Sequence, residues 1–231
     1  MTRIADNLAA VRERIARAAA RSGRDSAEVA LVAVSKVHPP DAIRAAYAAG
    51  QREFGENYAQ ELRDKAAALA DLPDLRWHFI GHLQRNKAKY VAPHAALVET
   101  VDSPRLADAL ARQAERHERV IPCLVQVNVG GEAQKSGCAS DEAADLVAAV
   151  EAHERLALEG LMTIPPFELD AGETRVYFDA LAALRERLGG PRRLRHLSMG
   201  MSHDFEQAIA AGATLVRVGT AVFGPRPSRS G

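Results

Sequence analysis

The chain alternates short apolar runs with alanine-rich, helix-like stretches, and the apolar runs number eight. They are "VALVAVS" from Val29, "REFGEN" from Arg52, "RWHFIG" from Arg76, "ALVETV" from Ala96, "VIPCLVQVNV" from Val120, "LALEGLMT" from Leu156, "LRHLSM" from Leu194 and "TLVRVGT" from Thr214. Several are continuous in Val, Leu and Ile, the pattern of strands buried on both faces. Between them, helices are predicted from near Pro40, Tyr58, Gln84, Pro104, Asp141, Gly172 and Asp204, most opened by a capping or first-turn residue.

Strand followed by helix, repeated, points to a parallel sheet. Eight such strands in 231 residues, close to the ~250 usual for this architecture, predict a (β/α)8 TIM-type barrel, with a doubly wound open sheet as the alternative. Ahead of the first strand, Ile4, Leu8, Val11 and Ile15 recur at helical spacing and Gly23 follows as a stop, giving an extra N-terminal helix. No Pro/Gly/Ser-rich linker or charge block divides the chain, so residues 1–231 read as one domain with a loose tail over about 225–231.

Charge narrows the partners. Lysine plus arginine equals aspartate plus glutamate at 30 each, so no global field draws the chain to nucleic acid or an anionic membrane; a small-molecule partner is expected first. Two cysteines without metal-ligand spacing fit a reduced, cytoplasmic protein, and no metal site is expected. The N-terminus lacks a signal-peptide core and no run approaches the roughly 20 apolar residues of a membrane span.

In a parallel barrel the site lies where strands end. Those positions hold Lys36, Asn57, His82, Asn128, Met162, the segment Ser198–Ser202, and Arg217, Gly219 and Thr220. In "VRVGTAVFG", Gly219 lets a backbone N–H approach an anion and Thr220 adds a hydroxyl. In "SMGMSHDFEQAI", Ser198, Gly200 and Ser202 precede a helix start at Asp204, so free N–H groups there can face the same phosphate. Lys36 ends the first strand, which a closed barrel sets beside the last. A lysine amine, with an ordinary pKa of about 10.4, becomes a nucleophile when desolvation or a cation such as Arg217 strips its proton. An aldehyde-bearing phosphate ester then meets both halves of the site, and pyridoxal 5′-phosphate is the candidate cofactor.

The motifs "VSK" at Lys36, "FGENYAQE" from Phe54, "WHFIGHLQRNK" from Trp77, "KSG" from Lys135, "SMGMSHDFEQAI" and "VRVGTAVFG" together resemble the YggS/PROSC-type pyridoxal phosphate homeostasis proteins, over nearly the whole chain. The resemblance implies a fold similar to the amino-terminal barrel of alanine racemase and a cofactor carried as a Schiff base on Lys36. It implies that Ser202, Gly219 and Thr220 hold the phosphate, that Arg217 faces the ring nitrogen or lies near the phosphate, and that Asn57, His82 and Met199 line the pocket. A guanidinium at the ring nitrogen disfavours a second proton there and makes the cofactor a weaker electron sink. Many relatives carry a second lysine or another polar residue two positions after the Schiff-base lysine; here His38, Pro39 and Pro40 follow, which removes that role. Lys135 matches a loop lysine of the family, either a secondary aldehyde acceptor or a solvated side chain.

Other residues have plainer readings. His78 and His82 lie four apart in a strand and turn, not on a helix, so the helical zinc spacing does not apply. "RNKAKY" from Arg85 reads as a solvated helix face, and Glu56 as either a general base or a loop anchor. The leading expectation is a cytoplasmic carrier of pyridoxal phosphate, active in vitamin B6 homeostasis without robust turnover, monomeric, and meeting apo-enzymes only in passing. An open site is also expected, because the few residues between the last expected strand and Gly231 have no room for a second domain that would deliver a further acid or base. The rivals are a pyridoxal-phosphate-dependent amino-acid racemase or lyase using Tyr58 or His82, a cofactor-free Schiff-base aldolase, and a non-enzymatic interaction protein.

Overall fold

The computed structural model describes residues 3–131, 136–166 and 169–225; Lys135 and the tail from 226 to 231 lie outside them. Its strands are β1 (Ala30–Val34), β2 (Glu53–Glu56), β3 (Arg76–Phe79), β4 (Ala95–Val101), β5 (Ile121–Asn128), β6 (Cys138–Ala139), β7 (Leu156–Met162), β8 (His196–Ser198) and β9 (Leu215–Val218). The helices are α1 (Arg3–Arg21), α2 (Pro40–Ala48), α3 (Ala59–Ala68), α4 (Ala88–Val91), α5 (Pro104–Arg116), α6 (Ala143–Glu151), α7 (Arg175–Arg187), α8 (Phe205–Ala210) and α9 (Thr220–Phe223).

All strand pairs are parallel, and they close in the order β1-β2-β3-β4-β5-β7-β8-β9 with β9 returning to β1. The eight expected strands form this (β/α)8 barrel. Two small elements were not anticipated: β6, which pairs with the end of β5, and α9, which follows the last strand. The helix expected from Gln84 begins as a 3-10 turn at Arg85–Lys87 and only then becomes α4. Pro40 and Pro104 occupy the first turns of α2 and α5, where the missing N–H of proline costs nothing.

The N-terminal helix α1 buries Leu8, Val11, Ile15, Ala18 and Ala19 along one stripe against α2, α8 and α9. Each of its large aliphatics contributes about 1.5–3 kcal/mol by leaving water. Asn7 Nδ2 donates to Val222 O at 2.9 Å, and Arg24 Nη1, in the turn after α1, donates to Ile209 O and Ala213 O, so the helix and the turn behind it are fastened to the two closing units of the barrel.

Side chains alternate in and out along each strand. Outward residues such as Ala33, Phe54, Trp77, Phe79, Val98, Val125, Leu197 and Val216 join the large core under the helices. Inward residues Val32, Leu97, Leu124, Met162 and Leu215 form a small apolar cluster inside the barrel. The rest of the interior is unusually polar: His78, Glu99, Ser198 and Arg217 are all buried.

Candidate functional site

A cavity of about 670 Å³ opens at the carboxyl ends of the strands, lined by Val34, Lys36, Asn57, Ile80, Ile164, Met201, Ser202, His203, Arg217, Gly219, Thr220 and Pro225. The parity of the strands explains most of this lining. Val32 points inward, so Val34 and Lys36 continue on the same side of β1, and Leu215 does the same for Arg217 and Gly219. Because β1 pairs with β9, Val32 opposite Arg217 and Ala33 opposite Val218, Lys36 emerges beside the Arg217–Thr220 segment.

Six of the eight expected site residues therefore meet around one cavity: Lys36, Asn57, Ser202, Arg217, Gly219 and Thr220. The structure places the other two elsewhere. Met199 has the opposite parity to Ser198 on β8 and is fully buried in the outer core. His82 lies beyond the end of β3, exposed, 3.4 Å from Asp102 Oδ2 and lining two neighbouring depressions with Leu83 and Gln84. His203, within the quoted "SMGMSHD" segment, and Ile80, one residue past β3 with the inward parity of His78, also line the cavity and are not among the expected residues.

Local geometry is fixed by two glycines. A Cβ at Gly81 would stand 2.1 Å from Asn57 O, so only glycine lets the end of β3 pass Asn57. Gly200 has φ +92°, and its Cβ would meet Ala208 Cβ at 2.6 Å; this glycine turns the chain from β8 into the Met201–Asp204 loop. In that loop Met201 N–H donates to Asp204 Oδ1 at 2.6 Å, and Gly219 N–H donates to Ser202 Oγ at 3.3 Å, leaving the serine hydroxyl hydrogen for another acceptor. Ser202, Gly219 and Thr220 thus form a donor-rich edge suited to an anion.

Arg217 forms the polar floor. Its Nη1 donates to Ser198 Oγ at 2.5 Å and its Nη2 to Thr163 O at 2.8 Å, which occupies two of the five donors of the fork. Ser198 in turn donates to Glu99 Oε2 at 2.5 Å, and Glu99 Oε1 lies 2.6 Å from His78 Nδ1. His78 Nε2 lies 2.8 Å from Glu53 Oε2. Both ring nitrogens face carboxylates, so both donate and the ring is an imidazolium. Burial opposes that charge, but the Glu53 and Glu99 hydrogen bonds outweigh it and carry His78 up to about 9. Burial likewise works to raise Glu99, yet His78 and Arg217 bring it below the usual carboxylate range. Burial lowers Arg217 from its ordinary value, opposed by Glu99 and Asp204. The charges alternate in sign from the cavity floor down the barrel axis.

An aldehyde-bearing phosphate ester fits this donor set. A primary amine, a guanidinium and an edge of hydroxyl and backbone N–H groups face one space, and Asn57 Oδ1 is buried with no hydrogen-bond partner among the described residues. The model of the alanine racemase N-terminal domain family matches residues 7–227. The chain belongs to that family. Within reach of this family model, the chain is 48% identical to the pyridoxal phosphate homeostasis protein of Pseudomonas aeruginosa over 98% of its own length and 97% of the relative. It is 45% identical to that of Escherichia coli, with 98% of each chain covered. Among solved structures, PipY of Synechococcus elongatus with PLP bound is 40% identical and superposes with a TM-score of 0.82, over 96% of this chain and 100% of that one.

Proposed function

We propose that this protein binds pyridoxal 5′-phosphate in the barrel cavity through Lys36 and takes part in vitamin B6 homeostasis by holding and releasing the cofactor, without robust catalytic turnover. The observation that carries the reading is the convergence of Lys36, Arg217 and the Ser202–Gly219–Thr220 edge on one cavity between neighbouring strands. Its support from other proteins is the likeness to pyridoxal phosphate homeostasis proteins and the PLP bound in PipY.

In this reading the Lys36 amine, once deprotonated, would hold the cofactor through its aldehyde, which would supply the electrophilic carbon. The Ser202 and Thr220 hydroxyls would donate to the phosphate oxygens, Gly219 would let the phosphate approach the backbone, and Arg217 would present its remaining donors to the ring. A guanidinium there keeps the ring nitrogen unprotonated, which favours storage over carbanion chemistry. The protein acts in the cytoplasm as a monomer and meets apo-enzymes transiently. Titration of the purified protein with pyridoxal phosphate tests the reading: a visible absorption band, with borohydride fixing the cofactor to the Lys36 peptide, supports it, and a colourless protein overturns it.

One observation favours a second reading, a pyridoxal-phosphate-dependent amino-acid racemase or lyase: the His203 imidazole lines the cavity and offers a proton-transfer group. Steady turnover of an amino acid that disappears in both Lys36→Ala and His203→Ala would establish that reading in place of the carrier.

A further inference from the structure

The residues on either side of Lys36 are held by a buried cluster that takes no part in lining the cavity. Lys65, on α3 and only 5% exposed, donates from Nζ to Ser35 O at 2.7 Å, to Glu56 Oε1 at 2.7 Å and to Glu61 Oε1 at 2.7 Å. An ammonium has three N–H donors, and all three are used. Ser35 Oγ donates to Glu56 Oε1 at 2.6 Å, and Val37 N–H donates to Glu61 Oε1 at 2.7 Å. Lys65, Glu56 and Glu61 therefore grip Ser35 before Lys36 and Val37 after it.

The grip coincides with backbone strain. Val37 has φ 62°, a left-handed conformation that a β-branched residue avoids. Such a conformation persists only where surrounding structure over-determines it. The cluster is itself a costly device, since two carboxylates share one ammonium and Glu56 Oε2 is buried with no partner among the described residues. Burial pushes the Glu56 carboxyl up to about 7 against the pull of Lys65 and Ser35. A fold needing only stability at this place is served as well by apolar side chains of similar volume.

We propose that Lys65, together with Glu56 and Glu61, is a positioning residue that holds the 35–37 turn in its left-handed form and so keeps the Lys36 amine in the cavity. The inference rests on the reading of Lys36 as the residue that captures the aldehyde. It assigns Glu56 to anchoring, not to proton transfer, and excludes Lys65 as a second acceptor because its donors are fully engaged outside the cavity lining.

The test compares wild type with Lys65→Met, Glu61→Ala, and each combined with Val37→Asn, since asparagine tolerates the left-handed region. Two quantities are read: the rate of borohydride-trappable attachment of pyridoxal phosphate to Lys36, and the affinity for pyridoxine 5′-phosphate, which has the phosphate and ring but no aldehyde. Attachment is expected to slow at least tenfold in Lys65→Met and about threefold in Glu61→Ala, with the affinity for the alcohol changed less than twofold, and Val37→Asn is expected to restore at least half of the lost rate. Wild-type attachment rates in both single variants, equal loss of attachment and alcohol binding, or no rescue by Val37→Asn overturns the proposal. Should Lys65→Met not fold, Glu61→Ala alone decides by the same criteria. No attachment to Lys36 in wild type would instead overturn the carrier reading itself, and this inference with it.

Discussion

His78 Nδ1 lies 2.6 Å from Glu99 Oε1 inside the barrel, and both side chains are almost wholly shielded from water. Glu99 also accepts from Ser198, which accepts from Arg217, so a buried ion pair on β3 and β4 supports the guanidinium on the floor of the cavity. The protein spends hydrophobic packing space inside the barrel on charge, and the return is a fixed cation on the floor of the cavity.

Among the described residues, removing His78 leaves the buried Glu99 carboxylate with only Ser198 and, at 3.9 Å, the Arg217 guanidinium to offset its charge. His78→Gln is expected to destabilise the fold by about 3–5 kcal/mol, read as a shift in the urea midpoint. A loss under about 1 kcal/mol would mean that Glu99 finds compensation elsewhere.

The same pair predicts a pH dependence. His78 is raised in the folded state from its ordinary 6.5 to about 9, so its contribution to stability is fully present below pH 6.5 and is lost as pH rises through about 9. Glu56 is raised from 4.5 to about 7, so its contribution is present below pH 4.5 and is lost as pH rises through about 7. The two act in the same direction. Denaturation series from pH 5 to 9.5 should show falling stability, with His78→Gln flattening the upper part and Glu56→Gln the lower.

The barrel was legible in the sequence because several of the doubly buried parallel strands are written as continuous Val/Leu/Ile runs and all eight alternate with helix-like stretches. A two-residue strand such as β6 has no period to read, and α9 is a single turn hidden behind the "VGT" motif. Half of the cavity lining was legible because Lys36, Asn57 and Gly219 follow their strands, and Arg217 sits near the end of β9, with inward parity. Met199 was misplaced by one residue, which on a strand is the difference between the interior and the outer core. The charge relay was not legible: Glu99 interrupts an apolar run and so announces itself, but its partners Ser198 and His78 lie 99 and 21 residues away and only barrel closure brings them together.

Ser198→Ala removes the hydroxyl that passes hydrogen bonding from Arg217 to Glu99. Losing hydrogen bonds to charged groups costs about 1.5–3 kcal/mol. Cofactor affinity should fall roughly tenfold, at an energy of about 1.4 kcal/mol per decade, while attachment still maps to Lys36. Unchanged affinity would show that Arg217 holds its place without the relay.

Gly81→Ala forces a methyl group to within 2.1 Å of Asn57 O. The end of β3 or the Asn57 backbone must move, and a loss of about 1–3 kcal/mol in stability is expected, together with weaker cofactor binding because Asn57 lines the cavity. Thermal melting and cofactor titration of the variant check both effects.

The central claim is that Lys36 captures pyridoxal phosphate in the cavity, and one measurement tests it most directly: absorption spectra of wild type and Lys36→Ala with added cofactor, followed by borohydride reduction and peptide mass mapping. The account predicts a visible band in wild type and a reduced adduct on the Lys36 peptide, both absent from Lys36→Ala. An adduct on another lysine, or none on a wild-type protein that is folded and saturated with cofactor, would contradict it.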